Sequence, residues 1–275
     1  MPEPDAGHSQ YAFSRLSITP FVHEYAPKET VRVDYSSLLD GFSDWALLCP
    51  PRHESFWLVF IHGHGSAGDQ LFVREDIRER ILFPALERGL GLLMVNLRGN
   101  AWMGPAAAED LLALIKFIRG EYGAKKLIFP SGSMGASSNL IFARMYPEEV
   151  AGVVALCPAT DLASYWAWCK EKASSITLEI ASAIQESYGG TPSERPALYE
   201  VHSALFGADR LRMPLFLAHG TADDIIPVEQ SRRLAERLAA KPTFTYVEQP
   251  GGHHDTPLAL ATEALDQVLS QVETG

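Results

Sequence analysis

Three distant segments of the chain carry side chains that together could perform nucleophilic catalysis. Ser133 lies in the turn Ser131–Gly135 (SGSMG), Asp223 follows an apolar run, and His253 follows a pair of glycines. A serine hydroxyl is a weak nucleophile near neutral pH, so it needs a base within hydrogen-bond reach, and the base needs an acid that orients it. The chain order serine, aspartate, histidine therefore indicates a serine nucleophile, with His253 as its base and Asp223 as the acid.

The turn around Ser133 has the sequence of a strand-to-helix junction. A strand over Lys126–Phe129 precedes it, and a helix over Asn139–Met145 follows it. In this setting the pattern G-x-S-x-G exposes a nucleophilic serine, because small flanking residues permit the strained turn. Ser131 stands at the position of the first glycine and Gly135 at the second. Taken alone, the segment could also be a small-residue turn that begins a helix. A phosphate-binding loop would need a lysine that this segment lacks.

Neighbouring residues offer alternatives for the acid and the base. Asp224 could replace Asp223, which could instead cap the helix that follows it, and Asp161 at the end of an earlier strand is a third candidate. For the base we favour His253, because the two preceding glycines allow a tight turn toward the serine. We expect His254 to face the solvent or the lid.

The segment Phe60–Gln70 (FIHGHGSAGDQ) fits three kinds of site. Its glycine spacing matches the dinucleotide fingerprint, but the next strand ends at Asn96-Leu97-Arg98 without the acidic residue that holds a ribose. Arg98 could still accommodate a 2′-phosphate. A metal at His62 and His64 would have only Asp69 nearby as a third ligand. The third interpretation is a glycine-rich loop that lets the backbone approach a substrate carbonyl in a serine hydrolase.

Composition and charge exclude several classes of protein. The chain has 275 residues, 47% of them hydrophobic, which is enough for a large core. Its net charge of −11, from 34 acidic against 23 basic residues, opposes binding to nucleic acid. We find no apolar run long enough to span a membrane and no secretory leader pattern, so we expect a soluble, cytoplasmic protein. Cys49 and Cys157 lie in apolar runs and are expected to be buried, reduced thiols.

From residue 45 onward, apolar runs of strand length alternate with segments of helical periodicity. The runs are nearly all apolar, as strands buried on both faces of a parallel sheet must be: Trp45–Leu48, Trp57–Ile61, Gly91–Leu97, Lys126–Phe129, Val150–Leu156, Leu215–Ala218 and Phe244–Val247. This predicts an α/β fold with a mostly parallel sheet and helices on both faces. Residues 1–44 are expected to add two antiparallel strands, SRLSIT and VRVDY. We count one domain, 1–275, with a lid-like cap insertion at about 158–213.

These segments together resemble the α/β-hydrolase superfamily, from about Trp45 to the end of the chain. The motifs that carry the resemblance are HGHG at 62–65, SGSMG at 131–135, HGTADDIIP at 219–227 and GGHHD at 251–255. Residues 188–205, YGGTPSERPALYEVHSAL, are also similar to the catalytic domains of prolyl oligopeptidase and dipeptidyl peptidase relatives and to their compact esterase cousins. The sequence contains no propeller domain of the kind that gates the large oligopeptidases, which weakens the peptidase interpretation.

The resemblance implies an α/β-hydrolase fold with a sheet of about eight strands. It also implies a triad of Ser133, His253 and Asp223 that forms and then hydrolyses an acyl-enzyme. The backbone N–H groups of His64 and Met134 would form the oxyanion hole. We therefore expect a serine hydrolase that cleaves carboxylic esters without a cofactor or metal.

The sequence indicates the substrate only in outline. We expect five large side chains, from the loop after Arg98 and from the cap insertion, to line the substrate pocket: Trp102, Met103, Tyr165, Trp166 and Trp168. They could equally pack the lid onto the body of the protein. The expected partner is a small-molecule ester, with either a short acyl chain or a carbohydrate-linked acyl group. An aminopeptidase-like enzyme, an acyl thioesterase and a non-catalytic binding protein on the same fold are the alternatives.

Overall fold

A mixed sheet runs through the part of the chain that the computed structural model describes, residues 11–52 and 56–274. Its nine strands are β1 (Phe13–Pro20), β2 (Val31–Ser37), β3 (Ser43–Cys49), β4 (Phe56–Ile61), β5 (Gly91–Val95), β6 (Lys126–Gly132), β7 (Gly152–Leu156), β8 (Leu215–Gly220) and β9 (Phe244–Gln249). Their order is β1-β2-β3-β5-β4-β6-β7-β8-β9. The first four strands in this order pair antiparallel, and the remaining pairs, from β5-β4 to β8-β9, are parallel.

Helices follow most of the parallel strands. They are α1 (Gln70–Val73), α2 (Glu75–Ile77), α3 (Phe83–Glu87), α4 (Pro105–Tyr122), α5 (Ser133–Met145), α6 (Leu162–Lys172), α7 (Ser175–Ser187), α8 (Pro196–Val201), α9 (Glu229–Leu238) and α10 (Ala261–Thr274). A π-helical turn, Arg78–Leu82, joins α2 to α3, and 3₁₀ turns form at Pro147–Glu149, Ala204–Arg210 and Thr256–Leu260. None of the helices in the described residues is long and apolar enough to cross a bilayer.

The sheet is buried on both faces, which explains the nearly continuous apolar runs. In β4, Val59 and Ile61 pack into a core cluster with residues of α4 and α5. The alternate side chains, Leu58 and Phe60, pack into a second cluster with the π-helical turn and α10. Because side chains of a strand alternate between faces, each run supplies both cores at once.

The predicted fold class is confirmed. The expected strands SRLSIT and VRVDY lie in β1 and β2, which pair antiparallel as predicted. They extend the sheet to nine strands rather than the expected eight. The C-terminal segment begins with a 3₁₀ turn over Thr256–Leu260, and the α-helix α10 follows from Ala261.

The cap insertion lies between β7 and β8 and is helical. It contains α6, α7, α8 and the turn Ala204–Arg210. α7 begins at a capping box in which the Ser174 side chain accepts the Thr177 N–H while Thr177 reaches back to the Ser174 N–H.

Candidate active site

Ser133 stands at the junction of β6 and α5 with a left-handed backbone, at φ 58°. Residues other than glycine rarely adopt this conformation, which here exposes the hydroxyl at the carboxyl edge of the sheet. Gly135 is required by close packing: a Cβ there would overlap the carbonyl oxygen of Ile61 and lie 2.9 Å from the Cβ of Ser131. The tight strand-to-helix turn is therefore built around small residues, as the motif predicts.

Ser131, at the position where the motif usually has glycine, connects the two central strands. The ladder between β4 and β6 extends only to Leu58 and Ile128, and Pro130 further along β6 has no N–H to donate. The buried hydroxyl of Ser131 instead accepts the N–H of Ile61 at 3.2 Å. This side chain satisfies a buried backbone group where the strands separate to form the site.

His254 lies between the serine and the acid, which corrects the predicted base. Its Nε2 is 2.9 Å from Ser133 Oγ, and its Nδ1 is 2.7 Å from Asp223 Oδ2. The predicted base, His253, is exposed and donates from Nδ1 to the carbonyl oxygen of Ala222 at 3.2 Å. The N–H of Ala222 in turn donates to Gly252 O at 2.8 Å. Gly252 and His253 are both hydrogen-bonded to Ala222, and the side chain of the next residue, His254, points toward Ser133.

Ser133, His254 and Asp223 form a hydrogen-bonded row, in which Asp223 is the acid. The two alternative acids, Asp224 and Asp161, are not part of this row. Its Oδ1 accepts the N–H groups of Ile225 and Ile226 at 2.9 and 3.0 Å, which fixes the carboxylate. Asp224 is exposed. Asp161 caps α6 and pairs with Arg233.

His219 is a second histidine on Asp223, and the sequence analysis did not identify it. Its Nε2 lies 3.2 Å from Asp223 Oδ2 and 2.9 Å from the carbonyl oxygen of Ile226, so this nitrogen carries the hydrogen. Nδ1 must then accept the hydroxyl of Ser231, at 2.7 Å. Burial opposes the ionisation of Asp223, but the hydrogen bonds from His219 and His254 hold the pKa of that carboxyl well below its ordinary value. The spacing of His219 and Asp223 in HGTAD is the signal that could have pointed to the pair.

Cys157 lies behind the row as a buried thiol, as predicted. Its Sγ donates to the carbonyl oxygen of His254 at 3.1 Å, and burial raises its pKa far above the ordinary value. Cys157, Asp223 and His254 have ligand-type atoms within 4.8 Å of one another. A protonated thiol is a poor metal ligand, so this chemistry favours a hydrogen-bonded cluster over a metal centre.

In the loop after β4, the backbone N–H groups on either side of His64 are hydrogen-bonded to side chains. The N–H of Gly63 donates to Gln70 Oε1 at 3.0 Å, and that of Gly65 donates to Asn100 Oδ1 at 2.8 Å. Between them, the N–H of His64 has no acceptor within the described residues. Met134 is the second residue of α5, and an N–H in the first turn of a helix has no intrahelical acceptor. The two N–H groups expected in the oxyanion hole are thus both available.

The histidines of this loop make hydrogen bonds that argue against a metal site. Both ring nitrogens of His62 lie within 2.9 Å of a backbone carbonyl oxygen, of Gly63 or Asn96. His64 accepts the indole N–H of Trp102 on Nδ1 at 3.2 Å, and its Nε2 lies 3.3 Å from Glu179 of α7. Burial lowers the pKa of His64. These contacts brace the loop and join it to the cap insertion.

A cavity of about 50 Å³ adjoins Ser133 and His254. Its apolar walls come from strand ends, from the helical turns after β4 and from the turn after the histidines: Phe60, Leu156, Ile77, Ile81 and Leu258. Polar side chains of Gln70, Arg74 and Asp255 complete the lining. Its described lining includes no residue of the cap insertion.

The five predicted pocket residues lie elsewhere, since none of them is in the lining described for this cavity. The Tyr165 hydroxyl donates to Ile225 O, and the Trp166 indole donates to Ala181 O. The Tyr165 ring packs against Trp102 at 5.5 Å and stacks on Trp168 at 6.1 Å. Met103 is buried in the same core cluster as Trp102 and Tyr165. The alternative interpretation, that these residues pack the lid onto the body, matches their contacts.

Comparison with known proteins identifies the fold. A family model described as alpha/beta hydrolase fold matches residues 57–174, and a model described as BD-FAE matches residues 137–238. The nucleophile turn lies in the first match, and the strand before the acid lies in the second. The chain has the α/β-hydrolase fold.

Solved structures of the same fold include both peptidases and esterases. A Mycobacterium tuberculosis puromycin-hydrolyzing peptidase aligns at a TM-score of 0.65 and 20% identity, covering 90% of this chain and 46% of the peptidase. Est1E from Butyrivibrio proteoclasticus aligns at 0.64 and 17% identity, covering 86% of this chain and 97% of Est1E. The Pyrococcus furiosus esterase PF2001 aligns at a TM-score of 0.61 and 18% identity, covering 97% of this chain and 92% of the esterase.

The chain thus spans less than half of the peptidase but nearly all of the two esterases. No curated protein sequence gives a significant match. The resemblance stated from the sequence is confirmed at the level of the fold.

Proposed function

We propose that the protein is a serine hydrolase that cleaves carboxylic esters of small molecules through an acyl-enzyme. One observation carries the proposal. A continuous row of hydrogen bonds joins Ser133 Oγ to His254 Nε2 at 2.9 Å and His254 Nδ1 to Asp223 at 2.7 Å. Three side chains from different strand ends meet in the order that nucleophilic catalysis requires.

The first half of the reaction forms the acyl-enzyme. Ser133 Oγ attacks the ester carbonyl carbon while His254 Nε2 takes the hydroxyl proton, and Asp223 stabilises the imidazolium. Collapse of the tetrahedral intermediate breaks the bond to the leaving oxygen, and His254 gives its proton to that oxygen. The alcohol leaves, and the acyl group stays on Ser133.

The second half returns the enzyme to its starting state. His254 removes a proton from water, and the resulting hydroxide attacks the acyl carbon. Collapse releases the carboxylic acid, and the proton on His254 returns to Ser133 Oγ. Every step uses side chains of this chain and water, so the mechanism calls for no cofactor.

The oxyanion of both intermediates would be held by the backbone N–H groups of His64 and Met134. The free N–H of His64 between two tied neighbours supports this role. Removing one such donor typically costs about 3 kcal/mol of transition-state stabilisation. The brace from Gln70 and Asn100 keeps the loop in the geometry the oxyanion needs.

The neighbouring peptidase makes an aminoacyl hydrolase the second candidate. Such an enzyme needs a carboxylate free to hold the substrate amine. Asp255 lies in the lining of the cavity, but the guanidinium of Arg74 pairs with it at 3.0 Å. Because Asp255 is paired, we favour an ester over an aminoacyl substrate. The same residues could also cleave a thioester.

Replacement of Ser133 tests the proposal. In Ser133→Ala the hydrolysis of short-chain nitrophenyl esters should fall by at least about 10³-fold with the fold intact, because the nucleophile is lost. A fluorophosphonate probe should label the wild type and not this variant. Ser17→Ala, on the exposed edge strand β1, is the matched control and should keep both labelling and activity.

A substrate panel then separates the candidate activities. Nitrophenyl esters, acyl thioesters and aminoacyl anilides would be compared by kcat/KM, and esters should be cleaved fastest. A Ser133→Ala variant as active as the wild type would contradict the proposal. A correctly folded wild type that is neither labelled nor active on any class would favour a binding protein.

A further inference from the structure

The cavity beside Ser133 has both polar and apolar lining. Gln70, the first residue of α1, and Arg74, which follows α1, contribute hydrogen-bond donors, and Asp255 contributes a carboxylate. Ile77 and Ile81 from the helical turns and Leu258 from the turn after the histidines contribute hydrocarbon. A group that fills this space must therefore be compatible with both polar groups and hydrocarbon.

Gln70 is held in one orientation. It is only 5% exposed, and its Oε1 accepts the N–H of Gly63 at 3.0 Å. A flipped amide would set an NH₂ group against that N–H, so the hydrogen bond fixes Nε2 on the other side. Nε2 has no acceptor among the residues that the structure describes, in a side chain that lines the cavity. A nearly buried amide donor thus has no partner within the protein.

Arg74 makes an anionic ligand unfavourable in the same cavity. Its guanidinium binds Asp76 through Nε and Nη2, both at 2.8 Å, and Nη2 also lies 3.0 Å from Asp255. One positive charge faces two carboxylates, so the local charge repels a further anion. A neutral oxygen, which accepts a hydrogen bond without adding charge, meets the requirements of this polar lining.

We propose that Gln70 Nε2 donates a hydrogen bond to a neutral oxygen of the substrate and selects esters that carry one. This inference rests on the proposed ester hydrolysis. The small cavity places the oxygen near the scissile bond, as an ether, hydroxyl or carbonyl in the short group that enters. The entering group is either the acyl part or the alcohol part of the ester, and both present the same acceptor to Gln70.

The inference follows from the hydrogen bond that Gln70 Nε2 would lack if an apolar substrate filled the cavity. A methylene group against Nε2 would displace solvent from the amide and give it no acceptor, which costs more than a hydrogen bond exchanged with water. An oxygen at the same place restores the bond. Gln70 would then discriminate between substrates that differ in a single atom.

Two isosteric substrate pairs test the inference and identify the entering group. Nitrophenyl methoxyacetate and nitrophenyl butyrate differ by one oxygen in the acyl part, and 2-methoxyethyl acetate and butyl acetate differ by one oxygen in the alcohol part. For each pair, the ratio of kcat/KM is divided by the ratio of the alkaline hydrolysis rates, which removes intrinsic reactivity. The wild type should prefer the oxygen-bearing ester by roughly fivefold in one of the two pairs.

Gln70→Glu is the matched variant, because it keeps the acceptor for the Gly63 N–H and removes the amide donor. It should lose the preference in that pair, which is a ratio and therefore does not depend on the variant's overall rate. Gln185→Glu, an exposed position on α7, adds the same charge and should keep the preference.

The wild-type ratios test the inference even if Gln70→Glu does not fold. Ratios near one in both pairs, or a preference that Gln70→Glu retains, would overturn the role of Gln70. Hydrolysis of both pairs and labelling of Ser133 would continue in that case. Failure of the ester proposal would instead leave the wild type unlabelled and inactive on all four esters.

Discussion

At the scale of single residues, two adjacent histidines have different roles because each is tied to a different neighbour. His253 reaches Ala222 on the surface, and His254 reaches Ser133 and Asp223. A pattern of letters cannot distinguish two neighbours of the same type. The choice depends on which one the turn after the two glycines aims inward.

Substitution of each histidine tests this assignment. His254→Ala should lower kcat/KM for nitrophenyl acetate by at least about 10³-fold, because no other group is in place to accept the serine proton. His253→Ala should stay within about twofold, because its side chain is exposed and its hydrogen bond is to a backbone carbonyl, away from Ser133. Circular dichroism of both variants checks the fold. The reverse pattern of activities would restore His253 as the base.

The sequence predicted Ser133 and Asp223 because each belongs to a motif at the end of a strand. It did not predict His219 or Cys157 as parts of the site. Their relation to the row exists only as distances, 3.2 Å from His219 to Asp223 and 3.1 Å from Cys157 to the carbonyl of His254. Cys157 and His254 are 97 residues apart, so no spacing in the sequence marks their contact. His219 lies only four residues before Asp223, but the sequence does not say that both side chains point to the same place.

At the scale of elements, the strands were predictable because burial on both faces leaves a continuous apolar run. The five aromatic and Met residues predicted for the pocket are not in the lining of the cavity beside Ser133, for a physical reason. Large aromatic side chains suit a ligand and a packed interface equally well, and Tyr165 and Trp166 find backbone acceptors within the protein. The cavity instead depends on ordinary aliphatic residues of short helical turns, which no motif marks.

The packing of α5 against β4 leads to a prediction about two glycines. Gly135→Ala should lower the free energy of unfolding by about 3 kcal/mol or more, because its Cβ would overlap the backbone of Ile61. Gly132→Ala is the matched control. Its backbone is extended and the nearest atom to a new Cβ is 3.8 Å away, so its stability should change by less than about 1 kcal/mol. Urea denaturation measures both, and equal losses would contradict the packing argument.

At the scale of the whole molecule, the acidic chain uses its arginines to hold distant segments together. Arg98, after β5, pairs with Asp40 before β3 at 2.7 Å, and its hydrogen bond lowers the pKa of Asp40 to about 2. Arg232 of α9 pairs with Glu248 of β9 at 2.8 Å and likewise lowers the pKa of Glu248 to about 2. Both carboxylates are partly exposed, so salt should weaken the pairs.

These lowered pKa values predict how stability depends on pH. An acid whose pKa is lower in the folded than in the unfolded state stabilises the fold above the unfolded value, about 4, and this contribution is lost as the pH falls toward 2. Wild type should therefore exceed Glu248→Gln in unfolding free energy at pH 7, and the difference should shrink between pH 4 and 2. Urea denaturation at several pH values measures it. A gap that widens in acid would show that the pair does not act in this way.

The left-handed backbone at position 133 favours glycine over serine on stability alone. A side chain in that conformation costs on the order of 1–3 kcal/mol. If Ser133 is the nucleophile, as proposed, replacement with glycine would stabilise the fold and abolish activity at the same time. Under that proposal, serine is kept at this position for its chemistry and against the preference of the backbone.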